Sequence, residues 1–136
     1  NKMSRVLGID YGDTRIGIAL SDPMQIITKP FVTLKNNEEF LDELKKIINE
    51  KEVEEVVVGY PVGMKGQVTK QTEKVEMFIE KLKSTLEIEI VKIDERLSSV
   101  SAENILRQQG VKTGHNKSMI DDTSAAIILQ EYLDSK

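Results

Sequence analysis

The sequence predicts an α/β fold, a five-stranded mixed sheet with helices on both faces. Three observations lead there. The first third of the chain holds short apolar runs separated by turn signals, the pattern of antiparallel strands joined by hairpins. After residue 36, segments with apolar residues at helical spacing alternate with short apolar runs, as strand–helix–strand crossovers require. A length of 136 residues suffices for one well-buried core and not for two ordinary domains. One domain over residues 3–136 is therefore expected, with Asn1 and Lys2, which precede Met3, left aside.

Arg5 to Tyr11 (RVLGIDY) reads as the first strand, Gly12-Asp13 as a turn and Arg15 to Ser21 (RIGIALS) as the second strand. Asp22-Pro23 marks another turn. A third strand is expected over Gln25 to Leu34, at an edge or with a bulge near Lys29-Pro30, because proline lacks the N–H that an inner ladder needs. A helix follows, with Asn36 or Asn37 as N-cap, acids at its positive end, and Phe40, Leu41, Leu44, Ile47 and Ile48 on one face. Glu55 to Gly59 (EVVVG) has the continuous apolar character of a strand buried on both sides. A second helix from about Thr69 to Thr85 carries the stripe Val75, Phe78, Ile79 and Leu82, and Ile88 to Ile93 forms the fifth strand. A third helix over Ser98 to Gln109, a basic loop and a final helix from Asp121 to Leu133 complete the expected order. No repeat, linker or low-complexity segment interrupts it.

Composition narrows the chemistry. Without cysteine, the chain has no disulfide, thiolate zinc site or cysteine nucleophile. No apolar run reaches the roughly 20 residues of a membrane span, and Val6 to Ile9 is too short for a secretory leader. A cytoplasmic protein with no membrane partner is expected. The net charge of −4 opposes nucleic-acid binding in general, but the charge is unevenly spread. Acids crowd residues 38–55, while Arg96, Arg107, Lys112 and Lys117 share their stretch with Glu103 alone before Asp121-Asp122.

Three places could carry chemistry. Asp10 ends a buried apolar strand, where a charge costs free energy unless it is compensated. Asp10 and Asp13 could both merely shape the hairpin, but Asp13 already satisfies the turn signal and leaves Asp10 unaccounted for. Gly12 permits a tight turn, while Gly17 and Ala19 keep the facing strand low enough for a bulky polyanion. Asp94-Glu95 follows the fifth strand, at the carboxyl end where open α/β sheets bind ligands; helix-entry capping is the plainer alternative. Asp121-Asp122 opens the final helix, where one acid would suffice as a cap, and Asp121 shares a face with Ala125, Ile128 and Tyr132. Taken together, hard oxygen ligands from a strand, a post-strand loop and a late helix suit magnesium or manganese, and two such ions can drive phosphodiester hydrolysis. The lone His115 is expected to be a loop residue or phosphate contact rather than a general base.

The chain resembles the YqgF (RuvX) family over nearly its whole length. The matching pieces occur in family order: Gly8-Ile9-Asp10-Tyr11-Gly12 with Arg15-Ile16-Gly17, Val58-Gly59-Tyr60-Pro61, Asp94-Glu95-Arg96-Leu97-Ser98, Asn116-Lys117, Ile120-Asp121 and Ser124-Ala125-Ala126-Ile127-Ile128-Leu129. The first piece is shared with wider groups; the ordered set is specific. The resemblance implies an RNase H-like fold related to the RuvC resolvases, and a metal-dependent nuclease that processes the 5′ end of 16S ribosomal RNA. Older descriptions of the family favour a Holliday-junction resolvase. Carried over by position, Asp10, Glu95 and Asp121 become catalytic acids and ligands of Mg2+ or Mn2+, with Asp94 and Asp122 ranked below them. Arg15, Lys65, Arg96 and Lys117 become candidate nucleic-acid contacts, Arg96 alternatively orienting Glu95. Two departures stand out: Tyr60 replaces the usual leucine, and Lys65 precedes Gly66 where an acid or amide is common.

Three other readings remain beside the RNA nuclease. A DNA four-way-junction resolvase should act as a symmetric homodimer, whereas an RNA-processing enzyme could be monomeric. A non-catalytic adaptor in ribosome biogenesis or transcription would use the acidic helices as a partner surface. A sugar-kinase-like phosphate loop would need two such domains, and the chain supplies one.

Overall fold

The computed structural model describes residues 4–63, 65–94 and 117–135, with the side chains of 117–122 outside that set. Its elements are β1 (Arg5–Tyr11), β2 (Arg15–Ser21), β3 (Thr28–Lys35), α1 (Phe40–Glu50), β4 (Val53–Tyr60), α2 (Lys70–Thr85), β5 (Glu89–Asp94) and α3 (Lys117–Asp134). The five strands form one mixed sheet in the order β3-β2-β1-β4-β5. The first three make the expected meander, and β4 and β5 run parallel to β1. Helices lie on both faces, so the predicted architecture is the observed one.

Pleat alternation divides the core in two. Leu7 and Ile9 of β1, Ile16 and Ile18 of β2, and Val56 and Val58 of β4 point to one face, where Phe40 and Leu44 of α1 and Val75, Phe78, Ile79 and Leu82 of α2 cover them. Val6, Ala19 and Val57 point to the other and meet Ala125, Ala126, Ile128, Leu129 and Leu133 of α3. The α3 helix is buried along most of its described length because its sequence is apolar nearly all round.

Local chemistry accounts for several boundaries. Thr69 caps α2 in a reciprocal box with Thr72, whose hydroxyl also donates to the Pro61 carbonyl at 2.5 Å. The β3 strand is an edge, and its register with β2 slips opposite Ile18 and Ala19, leaving Phe31 as the extra residue beside Pro30.

Three expectations need correction. Strand β3 begins at Thr28 rather than Gln25, because Gln25 takes a left-handed φ of 58° and belongs to the turn. Asn36 does not cap α1; its side chain donates to the Gly12 carbonyl at 2.9 Å, bracing the first hairpin. Asn37 accepts from Glu39 N–H at 2.9 Å one step before the helix, whose N-cap position, Glu39, makes no side-chain cap. Finally, α3 begins at Lys117, four residues before Asp121. The helix expected over Ser98 to Gln109 lies outside the described residues. Among the described residues, no helix is long and apolar enough to cross a membrane.

Candidate active site at the carboxyl edge of the sheet

Strands β1, β4 and β5 are parallel, so their carboxyl ends share one edge. Asp10 stands there on the central strand. It follows Val6 and Gly8 by the two-residue pleat and therefore faces α3. Directly opposite it on β2 is Gly17. On the other side, Ile9 pairs with Val58, so the next step of β4 brings Gly59 level with Asp10. The acid is thus flanked on both neighbouring strands by residues without a side chain. Neighbouring strands are only about 4.8 Å apart, and two larger residues here would wall the carboxylate in. Their absence leaves a low platform around it.

The helix over this platform comes unusually near. A Cβ on Gly8 would lie 2.8 Å from both the Ala125 carbonyl oxygen and the Leu129 Cβ, so only glycine allows α3 to sit where it does. Ala19, the partner of Gly8 on β2, is small as well. The direction of α3 follows from two contacts. Ala125 and Leu129 lie against Gly8, while Tyr132 hydrogen-bonds Glu55, and Glu55 pairs with Val6 near the start of β1. The helix therefore runs antiparallel to β1, and its N-terminal turns lie toward the edge that bears Asp10. The backbone of Asp121 is one turn before Ala125, about 6 Å along the axis; Asp10 is two strand residues beyond Gly8, about 6.6 Å along β1. These offsets bring the backbone of Asp121 to the level of Asp10. Because α3 starts at Lys117, Asp121 is not the helix cap.

Of the other candidates, Arg15 begins β2 two residues before Gly17 and shares its face, which sets it beside the Asp10 platform. Lys65 is exposed in the loop after β4, where Gly63 and Gln67 close a turn and the Gln67 side chain accepts from Lys65 N–H at 3.0 Å. Asp94 ends β5, two strands from β1. Ile93 packs on the α3 face, so alternation gives Asp94 the opposite one. Glu95, Arg96 and His115, with the side chains of Lys117, Asp121 and Asp122, lie outside the described residues. Among the described residues, no three of His, Cys, Asp or Glu are grouped so as to hold a metal. Asp13 has the plain role: it lies in the turn, 3.2 Å from Lys74 of α2.

Two residues named in the sequence take on their roles only in the fold. In the sequence Gly59 ends an apolar strand and belongs to the Val58-Gly59-Tyr60-Pro61 match; its place beside Asp10 needed the sheet order. Tyr60, the departure from the family pattern, donates to Glu76 at 2.5 Å, and Lys92 reaches the same carboxylate at 3.3 Å while lying 4.8 Å from the Tyr60 ring centroid. The hydrogen bond from Tyr60, then that from Lys92, lowers the Glu76 pKa, and the same bond raises that of Tyr60. Their partners tie β4 and β5 to α2 beneath the platform.

A central acid between two glycines, under a helix admitted by a third, is set in the RNase H-like architecture of junction resolvases. Two solved structures share that fold: T. thermophilus RuvC in complex with a Holliday junction substrate (TM-score 0.58, 12% identity, 97% of this chain and 95% of that one) and fowlpox virus resolvase with its junction DNA (TM-score 0.59, 11% identity, 96% and 97%). Within that class the sequence is more specific. Residues 4–135 match the family model RuvX, described as Holliday junction resolvase, and the chain belongs to the RuvX family. Relatives named "Putative pre-16S rRNA nuclease" include those of Ruminiclostridium cellulolyticum, 42% identical over 96% of this chain and 94% of the relative, and Desulforamulus reducens, 44% identical over 96% and 97%.

Proposed function

We propose that residues 3–136 form one nuclease domain that hydrolyses nucleic-acid phosphodiesters with a divalent metal, and that its substrate is the 5′ end of pre-16S ribosomal RNA. The observation that carries this is Asp10 on its platform between Gly17 and Gly59, with α3 directing the backbone of Asp121 to the same level. The names of the full-length relatives support the RNA substrate.

The donor chemistry fits a hard cation, for it consists of carboxylate oxygens with no thiolate in the chain. Asp10, Glu95 and Asp121 would hold it, as magnesium or manganese, and such an ion supplies Lewis-acid activation of the phosphodiester and of the attacking water. The chain's own residues do the rest. Gly17 and Gly59 let a ribose-phosphate backbone descend to Asp10. Arg15 offers a planar guanidinium to a phosphate oxygen, with Lys65, Arg96 and Lys117 as further phosphate contacts. The setting is the cytoplasm and one protomer suffices.

The RuvX model's own description favours a second reading, cleavage of four-way DNA junctions, which calls for a homodimer that cuts opposed strands in register. Purified protein with magnesium or manganese should be given a 5′-extended 16S precursor RNA beside a four-way junction, with Asp10→Asn in parallel. Metal-dependent RNA cleavage lost in the variant is the expected result. Paired symmetric cuts confined to the junction would transfer the assignment to the resolvase. Silence on both substrates with both metals would sink the catalytic reading and favour an adaptor.

A further inference from the structure

The end of the sheet opposite Asp10 carries a feature unrelated to nuclease chemistry. Six large apolar side chains are conspicuously exposed among the described residues, and four of them, Met24, Ile26, Ile27 and Phe31, lie on or beside the β2–β3 connection, 43–64% exposed. Exposed single apolar residues are ordinary; a cluster marks a contact surface.

This cluster is held out by its backbone. Asp22 accepts from the N–H groups of Ile26 and Ile27 at 2.7 and 3.0 Å, and its own N–H donates to the Ile27 carbonyl at 3.1 Å. Gln25, at positive φ, donates its side-chain amide to the Ser4 carbonyl at 2.9 Å, and Gln130 of α3 donates to the Ile26 carbonyl at 3.0 Å. A loose loop could fold Ile26 and Ile27 inward, but this one is pinned to β1 and α3. Such prior ordering lowers the entropic cost of binding.

Beside the loop is a groove of about 360 Å³, bordered by Ile27 and Phe31 and by three cations, Arg5, Lys29 and Lys51. Arg5 donates to the Lys51 carbonyl at 3.2 Å, and the Lys51 ammonium lies 5.5 Å from the Phe31 ring centroid. The acid on the groove, Asp22, is engaged by the loop's own N–H groups. A basic rim around an apolar centre, in a chain of net charge −4, is the local inverse of the molecule's overall charge.

We propose that this groove and loop form a docking surface for a partner protein, which presents a segment of large apolar side chains interleaved with Asp or Glu. Charge complementarity selects that occupant. A second copy meeting this face symmetrically would bring two sets of Arg5, Lys29 and Lys51 into one interface. A nucleic acid could use the cations and Phe31, but it offers no apolar complement to the exposed Ile27 beside them. Strand addition is blocked at β3 by Pro30 and the irregular register at Phe31, so the contact is made by side chains.

The test uses the full chain and two short synthetic peptides with Leu and Phe at the same positions, separated by Glu in one and by Lys in the other, titrated calorimetrically. The Glu peptide should bind and the Lys peptide should not. Phe31→Ala should weaken binding about tenfold or more, as removal of an aromatic anchor does. The double variant Lys29→Glu/Lys51→Glu should reverse the preference and bind the Lys peptide, a gain that a misfolded variant would not show. Equal binding of both peptides, or of neither, would overturn the proposal. So would displacement of the Glu peptide by a short single-stranded RNA, which assigns the groove to nucleic acid. Self-association on sedimentation that Phe31→Ala abolishes would overturn it in favour of a second copy. Asp10→Asn should bind the Glu peptide like the wild type, so failure here is separable from failure of the nuclease assignment.

Discussion

At the scale of single residues, the meaning of Asp10 comes from what its neighbours lack. An aspartate at a strand end can be a turn former, a surface charge or a ligand, and the sequence around it is compatible with all three. Gly17 opposite it and Gly59 level with it on β4 remove the side chains that would otherwise cover the carboxylate. Replacement by asparagine keeps the shape and removes the charge. Cleavage by Asp10→Asn should fall by on the order of 100-fold or more, since even the outer partners of a catalytic metal are worth about 10–100-fold. Its thermal unfolding midpoint should not drop with the activity. Arg15, on the same face and edge, is proposed to bind the substrate rather than take part in the chemistry. Arg15→Ala should raise KM with little change in kcat, and the salt dependence of RNA binding should lose about one unit of slope. A fall in kcat at unchanged KM would assign Arg15 to the reaction itself.

At the scale of elements, the close approach of α3 to β1 is what the proposed pairing of Asp10 with a helix-borne acid depends on, and Gly8 sets that distance. A methyl group there would meet the Ala125 carbonyl and the Leu129 Cβ at 2.8 Å, neither of which can swing aside as a flexible side-chain end could. Gly8→Ala should therefore cost about 1–3 kcal/mol, the range for an overfilled core, measured by denaturant unfolding. It should also lower cleavage by displacing the start of α3. An unchanged stability would mean the helix has slack that the packing does not suggest. Legibility in the sequence followed the same line. Helix α2 was readable almost to its ends, because Thr69 caps it and Val75, Phe78, Ile79 and Leu82 keep one face. The start of α3 was misread, since Asp121-Asp122 looks like a cap and residues 117–120 carry no helix signal of their own. For Asn36 the expected cap did not form: its side-chain nitrogen donates to the Gly12 carbonyl across the sheet instead of its oxygen accepting from the next helix. The candidate acids were legible as types at strand and helix ends. The place of Asp10 between Gly17 and Gly59 was not, because it depends on strand order, which no local pattern encodes.

At the scale of the whole molecule, the sheet separates its two ends. The carboxyl ends of β1, β4 and β5 converge on Asp10, while the other end displays the pinned β2–β3 loop. Between them, on the α3 face, lies an acid the sequence did not flag: Glu55 on central β4, 9% exposed, hydrogen-bonded by Tyr132. In sequence it merely opened an apolar run; in the fold it is a buried acid far from the proposed site. Burial, then the bond to Glu55, raises the Tyr132 phenol from 10.0 to about 12. A group whose pKa is raised by folding stabilises fully below its unfolded value and loses that contribution as pH climbs through the folded one. The Tyr132 contribution is thus intact below pH 10.0 and lost as pH rises toward about 12. Tyr132→Phe keeps the ring and removes the donor, leaving the Glu55 carboxylate short of a partner at a cost of about 1–3 kcal/mol near neutral pH. The stability gap between wild type and Tyr132→Phe, measured by urea unfolding at several pH values, should be constant up to pH 10.0 and close between there and about 12. A gap that persists at the highest pH would mean that Tyr132 stabilises through its ring alone, and that the buried Glu55 is compensated elsewhere.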